Sequence, residues 1–306
     1  MTWNVRIGIN PISWSNDDLP ELGGDTPLET ALREGAEIGY EGFELGNKFP
    51  QEPAALKAKL AEYGVACVSG WYSGRLAEGA LDDEIAACRA HMDKLAFNDC
   101  KVVVYGEVAG SIQGRIDTPL ARRPRFRDDT AWHAYAQRLE AFGRHLREEY
   151  AITLAYHHHM GAYVESPADI DKLMALTGPD VGLLFDTGHA WYGGATDVAA
   201  QLRKHLARIV HVHCKDVRPQ VVKSARNDGW SFLKGVINGT FTVPGDGAID
   251  FDAVLALLHG AGYEGWLVVE AEQDPAVAPS YAYAKKGYDT LRAIVDRLDG
   301  AREAAR

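Results

Sequence analysis

Four short stretches concentrate imidazoles and carboxylates just where an apolar run ends: "YHHHMGAYVES" with His157, His158 and His159, "FDTGH" with Asp186 and His189, "HVHCKD" with His211, His213, Lys215 and Asp216, and "VVEAEQD" with Glu270 and Glu272. Three histidines in a row have poor strand propensity and are awkward to bury without partners. Their mid-chain position excludes a purification tag. One imidazole from His157 or His159, one from His213, and the carboxylates of Asp186 and Glu270 make a mixed nitrogen and oxygen donor set. Such a set suits Mn²⁺, Co²⁺, Fe²⁺ or Zn²⁺ better than Ca²⁺ or an all-sulfur structural zinc. Any one of these residues alone reads as an ordinary hydrogen-bonded structural group. Four successive apolar runs, each ending in a ligand type, read as a metal site.

Short β-rich runs at 5–10, 40–46, 65–71, 100–106, 151–157, 181–188, 207–214 and 265–272 alternate with segments of helical period at 27–38, 52–63, 81–97, 128–149, 167–176, 194–206, 250–261 and 279–297. Consecutive strand–helix units of this length demand a parallel sheet, and eight of them predict closure into a single (β/α)₈ TIM barrel over residues 1–306. No Gly-rich phosphate loop follows the first strand, which disfavours an open dinucleotide-binding sheet. Such a barrel builds its active site at the C-terminal ends of its strands, and two of the loops there, 107–127 and 215–249, are long enough to expect functional segments, often lids.

Side chains alternate faces along a strand, so His157 and His159 share one face and His158 points the other way, towards the barrel wall or solvent. His211 pairs with His213 by the same rule, and Glu270 with Glu272. Other residues fall on the same functional end. His189 reads as a substrate or supporting group, or as a histidine that simply starts a helix. Lys215 and Asp216 read as a substrate cation with its orienting carboxylate, or as an ordinary ion pair. Glu44 and Glu107 follow strands and read as substrate contacts or as solvated acids. Trp14, Trp71, Trp191 and Trp230 are candidates for stacking on a ring-shaped polyol, although lining a loop core is the commoner fate of tryptophan.

The chain has 306 residues, 46% hydrophobic and 25% charged, the make-up of a globular protein with a substantial core. Its 32 Lys and Arg against 43 Asp and Glu leave a net charge of −11. So acidic a surface repels phosphate backbones and anionic lipid, which excludes nucleic acid and membrane as expected partners. No apolar stretch approaches the roughly 20 residues of a membrane span, and the first residues carry no signal-peptide core. The four scattered cysteines, Cys67, Cys88, Cys100 and Cys214, read as reduced thiols of a cytoplasmic protein.

"FDTGH", "HVHCKD", "VPGDGAIDF" and "VVEAE" follow the order seen in the xylose-isomerase-like barrels, and the resemblance spans essentially all eight units. Within that group "NPISWSNDDLPELGG", "GFELGNKFP", "YHHHMGAYVES" and "VVEAEQDP" resemble the inosose dehydratase branch of myo-inositol catabolism. The resemblance implies that Asp186, His213 and Glu270 match three metal ligands. The fourth ligand of the wider group is usually a glutamate; this chain has His157 there, or His159 if the match slips by two residues. Two carboxylates and two neutral imidazoles around a divalent ion leave the site near neutral, and hence a stronger Lewis acid towards a ketone oxygen than a three-carboxylate site.

The activity so implied is removal of water from 2-keto-myo-inositol, a cyclic polyol ketone. A divalent ion, Mn²⁺ or Co²⁺ first and Zn²⁺ or Fe²⁺ next, acidifies the proton beside the ketone. A general base takes that proton and a general acid protonates the departing β-hydroxyl. Glu272 is the candidate for one role, with His159, His189 and Lys215 competing for the other. Glu44, Trp14, Trp71, His211 and Asp216 are candidate substrate contacts. The nearest alternative is a metal-dependent isomerase or epimerase, which shares the first proton transfer. Abasic-DNA cleavage, known from a related barrel, is disfavoured by the net charge, and a metal-free sugar-binding barrel by the intact ligand set. Many such barrels form a homo-oligomer, and the sequence leaves the oligomeric state of this chain open.

Overall fold

Val5 to Ile9 pair in parallel with Gly265 to Val269 on one side, while Gly8 and Ile9 pair with Gly42 and Phe43 on the other. The first and last long strands therefore meet, and the sheet closes. In the computed structural model, which describes residues 3–304, the elements run β1 (Val5–Ile9), α1 (Leu28–Ile38), β2 (Gly42–Leu45), α2 (Pro53–Ala61), β3 (Ala66–Gly74), α3 (Leu81–Phe97), β4 (Val102–Glu107), α4 (Asp129–Tyr150), β5 (Thr153–His157), α5 (Pro167–Leu176), β6 (Val181–Asp186), α6 (Thr187–Gly193), α7 (Val198–His205), β7 (Ile209–Cys214), β8 (Asp216–Val217), α8 (Pro219–Asn227), α9 (Phe232–Ile237), β9 (Phe241–Thr242), α10 (Phe251–Gly260), β10 (Gly265–Val269) and α11 (Ser280–Ala304). The closed order β1-β10-β7-β6-β5-β4-β3-β2 is the expected eight-stranded parallel barrel.

Period-two burial decides what each strand presents. Val102, Val104, Ala155 and Leu184 turn inward and pack together inside the barrel. Val103, Tyr105, Leu154, Tyr156, Leu183 and Phe185 turn outward into the larger core shared with the helices. Continuing the inward set by two places His157 at the end of β5, Asp186 at the end of β6 and His213 near the end of β7. Local capping fixes where the helices begin. Ser166 and Asp169 form a reciprocal capping box at α5 with Pro167 in its first turn, and Asp128, Asp197 and Asp250 cap α4, α7 and α10.

The structure departs from the sequence reading in three places. The strand read as 181–188 stops at Asp186, because its carboxylate caps α6 by accepting the His189 N–H at 2.7 Å; α6 takes up the last residues read as strand and the turn after them, and the helix read as 194–206 is the shorter α7. The strand read as 265–272 stops at Val269, so Glu270 and Glu272 lie just beyond it. The 215–249 segment is no lid-like loop: it holds β8, α8, α9 and β9, and its Val222, Phe232, Leu233 and Phe241 form a second apolar cluster with Leu19, Leu22, Met160 and Tyr192. The 107–127 loop is tied to it, since Leu120 N donates to Trp230 O (3.1 Å) and Ser231 Oγ to Ile116 O (2.6 Å). No helix among the described residues is long and apolar enough to cross a membrane.

Candidate metal centre and its cavity

Asp186 and His213 are register partners across β6 and β7. His157 Nε2 lies 3.4 Å from Asp186 Oδ2, His213 Nδ1 lies 3.5 Å from the same oxygen, and His213 Nδ1 lies 2.7 Å from Glu270 Oε2. One donor atom from each of these four residues falls within 4.8 Å of the others. All four residues are buried, and His157 Nε2, Asp186 Oδ2, His213 Nδ1 and Glu270 Oε2 make no well-formed hydrogen bond, although the two oxygens face the Lys215 ammonium. Buried polar atoms without partners are costly, and four aimed at one point are a fit for a divalent cation. His159 is not in this group. It falls in a neighbouring one with His189 and Glu272.

Glu44 fixes the orientation of His213. Its Oε1 is 2.8 Å from His211 Nε2 and 3.1 Å from His213 Nε2, accepts from Ser69 Oγ at 2.7 Å, and its Oε2 accepts from Asn10 Nδ2 at 2.9 Å. Burial alone would raise the Glu44 carboxyl, but the charge on His213 and the hydrogen bonds of both imidazoles hold it well below its usual range. An ionised carboxylate only accepts, so His213 presents Nε2–H to it, and its Nδ1, protonated in the metal-free protein, would give up that proton to a cation bound at the four-residue group. Glu44 and His211 thus lie beneath the group and support it, which corrects their reading as substrate contacts. His158 does face the wall, as its phase requires: burial lowers it to about 3, and its Nε2 accepts the Asp186 N–H at 3.3 Å.

Lys215 continues the inward phase of β7 and is fully buried. Its Nζ lies 3.0 Å from Glu272 Oε1, 3.0 Å from Glu270 Oε2, 3.2 Å from Asp186 Oδ2 and 3.0 Å from His189 Nε2. Burial alone would lower this lysine, but the three carboxylates hold it above its ordinary value. Gly188 makes the approach possible, since a Cβ there would stand 2.6 Å from Lys215 Cγ. Burial and the Lys215 charge hold His189 well below its usual range, and burial with His189 does the same to His159. Both rings are therefore neutral. Nδ1 of His159, 2.8 Å from Met160 O, carries its proton and leaves Nε2 as an acceptor. Phe232 edges onto His159 at 4.8 Å, and the Phe241 ring lies 4.8 Å from Lys215 Nζ. The 215–249 segment is thus a dry wall behind these polar groups.

A cavity of about 350 Å³ opens over the centre, with His157, His159, Glu270, Glu272 and Trp71 in its walls. Trp71 is the one tryptophan of the four that reaches it. Its ring lies edge-on to His157 at 5.5 Å, and Gly106 leaves it room, because a Cβ there would be 2.1 Å from the indole. Trp14 is buried, with Nε1 donating to Glu34 Oε2 at 2.6 Å; Trp191 and Trp230 pack into the apolar clusters. Asp216 does not face the cavity either. Its carboxylate accepts from the N–H groups of Val217, Gly245, Gly247 and Ile249 and holds the "PGDG" turn. Glu107 is buried under Tyr105 OH and the Ala77 and Ala109 N–H groups. A larger cavity, about 610 Å³, opens at the opposite end of the barrel beside Arg6, Lys57 and Trp266, where TIM barrels carry no chemistry.

The cavity also exposes groups the sequence reading missed. Asn47, Gln51, Gln113 and Lys94 supply donors and acceptors suited to hydroxyl groups, and Asp17 and Asp18 enter from the loop after β1. The aspartates were visible as the acidic pair in "WSNDDLP". Lys94 had no such signal, since it reads as one more polar residue on a helix.

Residues 32–294 match the family model described as xylose isomerase-like TIM barrel. The chain is 48% identical over 288 residues to the rhizopine catabolism protein MocC of Rhizobium meliloti, covering 94% of this chain and 88% of that one. It is 44% identical over 290 residues to the inosose dehydratase of Geobacillus thermodenitrificans, covering 94% and 96%. Among solved structures, the IolI protein with a binding zinc atom superposes with a TM-score of 0.69 at 15% identity over 96% of this chain and 99% of that one. The probable 3-DHS dehydratase AsbF of Bacillus anthracis does so at 0.68 and 13% over 94% and 98%, and at these identities both likenesses speak for the fold. The chain belongs to the xylose isomerase-like TIM barrel family, on the branch that holds the inosose dehydratases.

Proposed function

We propose that this protein is a metal-dependent hydro-lyase that removes water from 2-keto-myo-inositol in myo-inositol catabolism. Full-length relatives named inosose dehydratase at 43–46% identity support the reaction. The single structural observation behind the metal is the cluster of four buried donor atoms, one each on His157, Asp186, His213 and Glu270, that make no well-formed hydrogen bond. We assign the site Mn²⁺ or Co²⁺, because two imidazoles with two carboxylates form an intermediate donor set, and we place the enzyme in the cytoplasm, where its four unpaired cysteines stay reduced. The bound ion supplies Lewis acidity at the ketone oxygen.

The chain's own residues do the rest. Glu272, two residues past Glu270 and in the cavity wall, is placed to take the proton from the carbon beside the ketone. Lys215 holds Glu272 in place by hydrogen bonds to its carboxylate and keeps a positive charge beside the oxygen on which negative charge develops. His189 orients the Lys215 ammonium from the other side. His159, neutral and edge-on to Trp71, presents an acceptor nitrogen to a substrate hydroxyl. Trp71 closes one side of the ring-shaped substrate, while the amide groups of Asn47, Gln51 and Gln113 meet its hydroxyls.

The test is turnover of 2-keto-myo-inositol by metal-free protein to which Mn²⁺ or Co²⁺ is returned. A dehydratase produces the near-ultraviolet band of a conjugated enol-dione, and a His157→Ala variant does not. Metal-dependent exchange of the substrate proton without that band would replace the dehydratase reading with an isomerase or epimerase.

A further inference from the structure

The loop after β1 carries two adjacent aspartates into the cavity, and they are held differently. Asp17 Oδ2 accepts the Asn47 N–H at 2.8 Å. The Asp18 carboxylate has no protein hydrogen bond among the described residues, although its backbone is fixed: buried Asn16 accepts from the Asp18 and Leu19 N–H groups at 2.9 and 3.0 Å. Asn16 N in turn donates to Leu22 O at 3.0 Å, and Leu19 and Leu22 anchor the loop in the second apolar cluster. A rigid backbone thus presents one free carboxyl group to the same cavity that exposes Glu270 and Glu272.

We propose that Asp18 is the general acid that protonates the departing hydroxyl, a role that rests on the dehydratase reading. Of the three carboxyl groups open to the cavity and not aimed at the four-residue centre, Asp17 is held by the Asn47 N–H, and the other two differ in their company. Glu272 shares the Lys215 ammonium at 2.9 Å. Asp18 sits open to the cavity solvent yet crowded by protein, and feels the charges of Glu272, Asp17 and Glu270, offset in part by Lys215. Crowding by protein first, then those carboxylates, raise it in the metal-free protein. Glu272 is fixed by Lys215, whereas the Asp18 carboxyl group, held by no protein hydrogen bond among the described residues, is free to turn towards the departing hydroxyl. In the step, Glu272 takes the α-proton, the C–H electron pair becomes the new carbon–carbon double bond, and the C–O bond to the β-hydroxyl breaks. The Asp18 proton joins the departing oxygen, so water leaves and Asp18 is left as carboxylate. Glu272 then returns its proton to the solvent, from which Asp18 is recharged.

The experiment uses metal-loaded, full-length Asp18→Asn, which keeps both backbone bonds to Asn16. Three rates are read beside wild type: exchange of the α-proton into deuterated water, formation of the enol-dione, and fluoride release from the β-fluoro analogue, whose leaving group needs no proton. The proposal expects exchange within about threefold of wild type, water loss lowered by about a hundredfold or more, and fluoride release near wild type. Exchange also reports that the variant is folded and metal-loaded. Loss of water at the wild-type rate, or exchange and fluoride release falling as far as water loss, overturns Asp18 as the acid and leaves the dehydratase reading intact. Wild-type protein that makes no enol-dione overturns both.

Discussion

Replacing Glu44 by Gln separates its role as a support from the substrate contact that its position first suggested. The carboxylate accepts from His211, His213, Ser69 and Asn10. A Gln side chain keeps one acceptor oxygen and turns the other into a donor, so either the Asn10 contact at Oε2 or the His211, His213 and Ser69 contacts at Oε1 are disturbed, and in both cases His213 loses its charged partner. A hydrogen bond to a charged group contributes about 1.5–3 kcal/mol, against about 1 for a neutral one. Disturbing the group behind a metal-bound imidazole weakens metal binding by roughly 10–100-fold, or about 1.4–2.7 kcal/mol. The assay is competition with a chelator of known affinity for Mn²⁺ or Co²⁺, on wild type, Glu44→Gln and His213→Ala. Glu44→Gln should fall between the other two, with KM for substrate little changed at saturating metal. Unchanged metal affinity together with a raised KM would refute the supporting role and return Glu44 to the substrate.

Three further outcomes are expected. His157→Ala should lose bound metal on dialysis while His159→Ala retains it, measured as metal per chain; the reverse result would mean that His159 is the ligand. Asp216→Ala leaves up to four backbone N–H groups without an acceptor and should lower unfolding free energy by about 3 kcal/mol or more, while metal content stays unchanged; urea unfolding and metal analysis together read both. Burial pushes Glu107 up from 4.5 to about 7, so between those values the folded chain binds more protons than the unfolded one and stability falls as pH rises. The stability difference between Glu107→Gln and wild type, in metal-free protein, should therefore shift by about 3 kcal/mol in the variant's favour between pH 4.5 and pH 7.5; a pH-independent difference would refute it.

The sequence by itself determined the barrel and the line of the centre. Eight alternations of period two and helical period leave a parallel sheet little choice, and side-chain alternation puts His157 with His159 and His211 with His213 on shared faces, while Asp186 is marked only as an acid at a strand end. Local spacing also singles out Glu272 and Lys215 as candidates. Choosing between His157 and His159 needed the tertiary structure, because both share a face and only the β5–β6 register brings one of them to Asp186. The same holds for Glu44 and Asp216. Both sit where substrate contacts belong, but their partners, His213 and the 245–249 backbone, are far away in sequence and met only on folding. Trp14 went to the core for a similar reason: its partner Glu34 comes from α1. Helices α8 and α9 were hidden because their apolar faces pack against residues from four other segments, so their periodicity answers to a cluster that exists only in three dimensions. Asp18 was legible as an acid after a strand. Its company of Glu270, Glu272 and Lys215 was decided by barrel closure, which sets β1 beside β10.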